Sequence, residues 1–296
     1  MIQSRISLRL DAPEARRIYL MLEALFEDDG YAMSHFEVEP ETSGPRQWSI
    51  DIYVPKTELE DVLVRLSDHL GAEAPGLDLN HEDLEDLDWV ALSLEGLKPV
   101  SAGRFFVHGA HDTARIPAGA VSVEIEAGQA FGTGHHGTTA GCLDALEALL
   151  RCRSFQNMFD LGTGTGVLAI ALAKACHQPV LASDIDTVSV EVARENAALN
   201  RVANRLHIVE ADGMQHPAIR DNAPFDLIVA NILAGPLMRM AGQIGGQLAA
   251  GGSLVLSGIL DSQADRVLAA YVARGLTLQR RASREGWTTL TLHAAL

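Results

Sequence analysis

The chain has 296 residues, of which 47% are hydrophobic and 21% charged, with a net charge of −16. That composition supports packed cores, is long enough for two domains, and excludes a disordered or low-complexity protein. No run approaches the roughly 18 apolar residues of a membrane span and the start, MIQSRISLRLDAPEARR, has no secretory apolar segment, so a soluble cytoplasmic protein is expected.

The charge is unevenly placed. Residues 1–99 hold 22 Asp and Glu against 8 Lys and Arg, a balance of −14, whereas the remaining residues balance at −2. Such a field repels nucleic acid backbones and steers basic partners, although a solvated, solubility-giving face has the same composition. With no basic, aromatic-studded groove in the sequence, RNA is not expected as a substrate. Cys142, Cys152 and Cys176 are odd in number and lie without metal-ligand spacing, so they are expected to be free thiols packed in helices.

In chain order the first 85 residues predict a strand (RISLRL), a helix from Ala12 to about Asp28, strands SHFEVEP and QWSIDIYVP, a helix from Lys56 to about Leu70, and a weak strand near Leu77 to Asn80. The order βαββαβ is that of ferredoxin-like folds, a scaffold that often serves as a docking module. An acidic stretch, NHEDLEDLDW, closes this part. The expected division is a small α+β domain at 1–89, a linker with short extended pieces at 90–125 that packs on the second domain, and that second domain at 126–296.

From Thr138 onward helices and strands alternate. A helix to about Arg151 precedes strand Gln156–Asp160, a helix follows from about Gly166, and a strand covers Val180–Asp184. The helix VSVEVARENAALN leads to strands RLHIVEA and FDLIVAN, a helix from Leu237 to about Leu248, strand SLVLSGI, helix DSQADRVLAAYVARG and two closing strands, LTLQRR and GWTTLTLHA. The rhythm predicts a mostly parallel, doubly wound α/β sheet whose last two strands pair antiparallel.

The stretch MFDLGTGTG, Met158 to Gly166, carries the most chemistry. Asp160 ends an apolar run, and Gly162, Gly164 and Gly166 fall where a strand hands over to a helix, so the backbone can approach a ligand closely. Asp184 ends the next apolar run 22 residues after Gly162, the spacing at which a carboxylate meets ribose hydroxyls. A dinucleotide fingerprint wants its third glycine or an alanine at Val167, so the loop departs from the NAD pattern. It resembles instead the first motif of the class I S-adenosylmethionine (SAM) methyltransferases.

Ligands of open α/β sheets lie beyond the carboxyl ends of the strands. Those ends are Asp160, Asp184 with Asp186 two residues on, Ala211 and Asp212, and Ala230 and Asn231; for Asp212 a turn or helix-cap role is an equal alternative. Upstream, AFGTGHHGTT (130–139) is a glycine-flexed segment suited to fold over a ligand. Its adjacent His135 and His136 lack further ligands at metal spacing, and Thr138 and Thr139 can cap the following helix.

AFGTGHHGTT, DLGTGTGVLAIA, SDID, VANILAGPL and LSGIL, in this order and spacing, resemble the bacterial ribosomal protein L-eleven methyltransferases, the PrmA family. The resemblance is strong over 125–262 and weaker back to DLDW and forward to Trp287. It implies a seven-stranded Rossmann-like methyltransferase sheet with an antiparallel terminal hairpin and a small N-terminal substrate-recognition domain. It implies SAM contacts from Thr139, Gly162, Asp184 and Asn231, to which the glycine loop and the strand ends add Gly164 and Asp212. The implied activity is repeated methylation of lysines and of the amino terminus of a basic large-subunit ribosomal protein; from ligand spacing alone, no metal is expected. Other protein or small-amine substrates, an NAD(P) dehydrogenase, and a ribosome-assembly module without catalysis remain alternatives.

Methyl transfer from a sulfonium is an in-line displacement, so the enzyme must position a lone pair and exclude water. Asn231 is the candidate catalytic residue, because a neutral acceptor orients an amine without raising its pKa as a carboxylate would. Ile232, Leu233 and Ala234 stand where many amide and base N-methyltransferases carry Pro-Pro-aromatic, which favours an aliphatic amine. Ala234 and Gly235 are small enough to leave room for a partly methylated one.

Overall fold

The computed structural model describes residues 3–26, 31–38, 47–73, 79–84, 99–125 and 137–295, and divides the chain into two compact units, Met1–Trp89 and Val90–Leu296. The histidine pair, Phe131 to Gly134, and the DLDW stretch lie outside the described residues.

In the first unit, β1 (Gln3–Leu10), α1 (Ala12–Leu25), β2 (Ala32–Val38), β3 (Gln47–Pro55), α2 (Leu59–Glu73) and β4 (Asn80–Leu84) form a four-stranded antiparallel sheet of order β2-β3-β1-β4. Strand alternation buries Ile6, Leu8, Ile50, Ile52 and Val54 with Ile18, Leu22, Val62 and Leu66 from the helices. The Asp11 carboxylate caps α1 by accepting from Glu14 N at 3.0 Å, and Pro13 suits the first turn, where its missing N–H is no loss. Of the strand expected near Leu77 to Asn80, Leu77 and Asp78 lie outside the described residues, and the last strand is β4 from Asn80 on. It is the acidic NHEDL, at an edge, where charged residues are tolerated because one side has no ladder partner. Arg5 of β1 meets the Glu82 carboxylate there at 2.5 Å.

Residues 99–125 are more than a linker. They form β5 (Val100–Ala102), β6 (Phe105–His108) and β7 (Val121–Glu124), a three-stranded sheet whose Phe105, Val107 and Val123 are buried in the core of the second unit. Lys174 fastens it: its Nζ donates to Ser122 O at 2.6 Å and to Asn200 Oδ1 at 2.8 Å. Asn200 in turn donates to Glu124 O at 2.6 Å and accepts from Glu124 N at 3.0 Å.

The second unit continues with α3 (Gly137–Cys152), β8 (Met158–Leu161), α4 (Val167–Cys176), β9 (Val180–Asp184), α5 (Thr187–Leu199), β10 (Leu206–Glu210), α6 (Pro217–Asn222) and β11 (Phe225–Asn231). It closes with α7 (Ala234–Gly246), β12 (Leu248–Leu260), α8 (Ala264–Val272), β13 (Thr277–Arg284) and β14 (Trp287–His293). Sheet order is β10-β9-β8-β11-β12-β14-β13, with parallel pairs from β10 to β12 and antiparallel pairs beyond. The strand order reverses between β8 and β11, the switch point at which ligands of doubly wound sheets bind.

Both faces of this sheet are covered, which is why its central strands read as continuous apolar runs. Met158, Leu227, Val229 and Val255 pack under α3, α4 and α5; Phe159, Leu161, Ile228, Ala230 and Leu254 pack under α7 and α8. Several elements differ from the sequence expectation: β12 begins at Leu248 rather than Ser253, and the helix after it at Ala264 rather than Asp261. Helix α7 begins at Ala234, three residues early, because Ala234 and Leu237 both face the core. Helix α6 escapes sequence reading because it has only six residues, begun by Pro217 and capped by His216.

Candidate functional site

The glycine loop folds as its spacing demands. Gly162, Gly164 and Gly166 have φ of +72°, +54° and +83°, the left-handed region that only glycine enters freely. Gly162 N and Thr163 N donate to Ser183 O at 2.8 and 2.9 Å, which ties the loop to the end of β9. A Cβ at Gly166 would lie 3.2 Å from the Ala193 methyl. The third glycine thus lets α4 and α5 approach one position earlier than in a dinucleotide loop.

Two sequence-predicted residues meet directly here: Asp184 Oδ2 accepts from Gly164 N at 2.8 Å, and its Oδ1 accepts from Asp186 N at 3.1 Å. Asp184 is half-buried and its neighbour Ile185 is 68% exposed, an uncovered aliphatic face beside a carboxylate. Asp186 caps α5, accepting from Val188 N and Ser189 N. Asp212 is exposed just past β10, in the turn that Ala211 N anchors by donating to Asp184 O at 2.8 Å.

Asn231 ends β11 at the switch point. Its Nδ2 donates to Thr138 Oγ1 at 3.4 Å and Thr139 Oγ1 at 3.5 Å, both in the buried first turn of α3. The residue after it is wedged from both sides. A Cβ at Gly162 would overlap Ile232 Cγ2, and one at Gly258 (φ +77°) would overlap Ile232 O, each well inside 3.0 Å. Gly162 of the loop and Gly258, at the irregularity in β12, therefore fix the course of the chain beyond Asn231. Leu233 is 49% exposed, whereas Ala234 is buried in the core and does not open space for a methylated amine.

Beneath these groups lies a buried polar layer that only the folded chain reveals. Asp160 Oδ2 accepts from Thr163 Oγ1 at 2.7 Å and Ala169 N at 3.0 Å, while its buried Oδ1 has no hydrogen-bond partner among the described residues. Burial raises its pKa to about 7 against those two hydrogen bonds, which favour the carboxylate, and the Asp184 charge adds to the rise. Ser257, in register with Asn231, shares a 3.1 Å hydrogen bond with Thr289 Oγ1. Burial also pushes the Cys142 thiol far up, although a hydrogen bond with Ser257 opposes it, so Cys142 is an inert packed thiol. Alternation along the strands puts Asp160, Asn231, Ser257 and Thr289 on one face. The sequence signal for that layer was present only as polar residues interrupting apolar runs.

The site brings Gly162, Gly164 and Asp184 together as one group and Asn231 with Thr139 as another, while Asp212 follows Ala211, whose N–H donates to Asp184 O. Sequence reasoning missed the participation of Thr138, the proton affinity of Asp160 and the exposure of Ile185. Among the described residues no group of three His, Cys, Asp or Glu is placed to hold a metal ion. None of their helices is long and apolar enough to cross a membrane.

A family profile described as ribosomal protein L11 methyltransferase (PrmA) matches residues 4–295. The chain is 50% identical over 293 residues to a protein of Brucella suis named ribosomal protein L11 methyltransferase, covering 99% of this chain and 100% of that one. It is also 50% identical over 292 residues to the protein of that name from Mesorhizobium japonicum, with 99% of each covered. Among solved structures it resembles a ribosomal protein L11 methylase from Lactobacillus delbrueckii subsp. bulgaricus. That match has a TM-score of 0.60 at 26% identity and covers 67% of this chain and 99% of that one.

Proposed function

The chain belongs to the ribosomal protein L11 methyltransferase family, and from that premise we propose that it transfers methyl groups from SAM to amino groups of ribosomal protein L11. The observation that carries the reading is the pairing at the switch point: a glycine cradle hydrogen-bonded to Asp184 on one side and the Asn231 carboxamide on the other.

The residues fit SAM. The loop turns through positive φ at Gly162, Gly164 and Gly166 with no Cβ to hold a ligand off its backbone, Asp184 offers a carboxylate for ribose hydroxyls, and exposed Ile185 offers an apolar face for the adenine. Thr139, Gly162, Gly164, Asp184, Asp212 and Asn231 are the residues assigned to hold it. When bound, the cofactor supplies an electrophilic methyl on a sulfonium.

A lysine with pKa near 10.4 is protonated at neutral pH, and losing that proton costs about 4–5 kcal/mol at pH 7. With Nδ2 engaged by Thr138 and Thr139, Asn231 presents Oδ1 as a neutral acceptor for an amine N–H. It orients the lone pair without stabilising the ammonium. No side chain is assigned as general base; bulk water takes the proton before the amine enters. Half-buried Ile232 and exposed Leu233 line the exit from Asn231 and help keep water from the reacting atoms.

Residues 1–89 carry most of the negative charge and are assigned substrate recognition, since ribosomal proteins are basic. A protein beginning at Val90 should bind SAM yet lose activity on L11; full activity would refute that role.

The test is intact-mass spectrometry of unmethylated L11 incubated with the enzyme and SAM. Gains in multiples of one methyl, absent with Asn231→Ala, support the reading. No gain from an enzyme that demonstrably binds SAM would redirect the search to other amines.

A further inference from the structure

The order of the sheet splits its carboxyl edge at β11. On one side the ends of β8, β9 and β10 carry the glycine loop, Asp184 and Asp212; on the other lie the end of β12 and the turn joining β13 to β14. The first half is the cofactor side, which leaves the second for the acceptor.

The turn on that second side is Glu285–Gly286, with φ of +55° and +84°. It is held firmly. Asp261 accepts from Ser283 Oγ at 2.6 Å and Thr288 Oγ1 at 2.5 Å and donates its own N–H to Gly286 O at 3.0 Å. Arg284 lies 3.6 Å from Asp144 of α3.

The tip rests on the first turn of α3. A Cβ at Gly137 would stand 2.8 Å from Arg284 O and 3.4 Å from Glu285 Oε2, so the close approach depends on glycine there. Residues 138 and 139, next along that turn, receive Asn231. The Glu285 side chain thus lies beside the turn that orients the candidate catalytic amide.

Glu285 is poorly chosen for its backbone. Two-residue hairpin turns with both φ positive favour Asn, Asp or Gly, and a longer side chain there is strained. Its side chain is 69% exposed, and the charge recorded nearest to it is Arg284 Nε at 4.0 Å, at the limit of an ion pair. A strained residue that contributes little to the fold is a reason to look for a function.

Resting on the activity proposed above, we propose that Glu285 is a specificity-determining carboxylate that receives the cationic amine of the substrate protein at the mouth of the acceptor side. The chemistry suits a division of labour. A solvated carboxylate concentrates ammonium groups, whereas a carboxylate in contact with the reacting nitrogen would hold its proton; the acid stands at the rim and the neutral amide at the strand end.

Steady-state methylation of full-length unmethylated L11 by the whole enzyme tests this with Glu285→Gln, Glu285→Asp and Glu285→Asn, beside SAM affinity by calorimetry and melting temperature. The expected result for Glu285→Gln is a KM for L11 raised about two- to fivefold at low salt, the size of an exposed ion pair, with kcat and SAM affinity unchanged. High salt should erase the difference, and Glu285→Asp should stay near the parent KM. Glu285→Asn is the decisive variant, because it relieves the turn: KM should rise as in Glu285→Gln while the melting temperature rises by about 2–4 °C. A purely structural role predicts no KM change in that variant. An unchanged KM in Glu285→Gln, or a KM that rises only where stability falls, overturns the inference alone. A parent enzyme that binds SAM but leaves L11 unmethylated overturns the proposed substrate and this inference with it.

Discussion

Replacing Gly162 by alanine perturbs the site through two separable costs. At φ +72° an L-residue sits in the left-handed region, worth roughly 1–2 kcal/mol. The added methyl would also overlap Ile232 Cγ2 well inside 3.0 Å. Ile232 has no easy retreat, since its carbonyl is already pressed toward Gly258, so forced displacement adds about 1–3 kcal/mol as in other overpacked cores. The combined cost is about 2–5 kcal/mol. Strain borne by free and bound enzyme alike lowers stability only; the part that the free enzyme relieves by shifting the loop, and that binding must restore, weakens SAM tenfold per 1.4 kcal/mol. Gly275→Ala is the internal standard: its φ is +85° and nothing lies within 4 Å of the added methyl, so it reports the backbone cost alone. Calorimetric SAM affinity and melting temperature of both variants separate the two costs. Gly162→Ala should melt below Gly275→Ala, bind SAM more weakly, or both, the two losses together matching the strain, whereas the affinity of Gly275→Ala should be unchanged. Adding Ile232→Ala to Gly162→Ala should recover part of the loss. Equal melting temperatures and near-parent SAM affinity in both single variants would refute the steric argument.

Asn231→Asp tests the neutral-acceptor role: a carboxylate beside the amine raises its pKa, so the pH–rate profile of L11 methylation should move to higher pH and activity at pH 7 should fall about tenfold per unit moved. An unmoved profile removes Asn231 from contact with the amine. For Asp160, burial raises the folded-state pKa to about 7 from a reference of 3.8, so the folded form binds the proton more tightly. Its contribution is therefore complete below pH 4 and lost as pH rises through 7, with an upper limit of about 4 kcal/mol. Asp160→Asn should flatten this decline in denaturant titrations between pH 4 and 8; an unchanged slope would place the proton elsewhere. Lys174→Met removes two hydrogen bonds from a charged donor to Ser122 O and Asn200 Oδ1 and should cost about 1.5–3 kcal/mol of stability, measurable by urea unfolding, with SAM affinity retained.

The elements that were legible in the sequence are those whose cause is local. The glycines announced a loop with positive φ because no other residue enters that region freely, and the loop has it at all three. The terminal strands announced an antiparallel hairpin because a short connection permits nothing else. The βαββαβ order of the first unit was legible from its periodicity, but the extent of its last strand was not, since NHEDL has no apolar alternation and is a strand only by pairing with β1. Residues 99–125 looked like linker because short extended pieces show no period, and their sheet is made by burial against helices distant in sequence.

At the candidate site, the position of Gly162, Gly164, Asp184 and Asn231 at strand ends was legible, because a doubly wound sheet sends its loops to one edge. What each group does there was decided by neighbours the sequence does not name. Asp160 and Asp184 are both aspartates ending apolar runs, yet burial gives the first a proton affinity near neutrality while the second meets a backbone amide at the surface. Gly162 and Gly258, 96 positions apart in sequence, press on one isoleucine, and Gly137 admits a hairpin tip from the far end of the chain. Spacing and propensity act over a few residues and determine which elements form; desolvation and steric exclusion act across the fold, so the chemistry of those elements was settled only when the chain closed on itself.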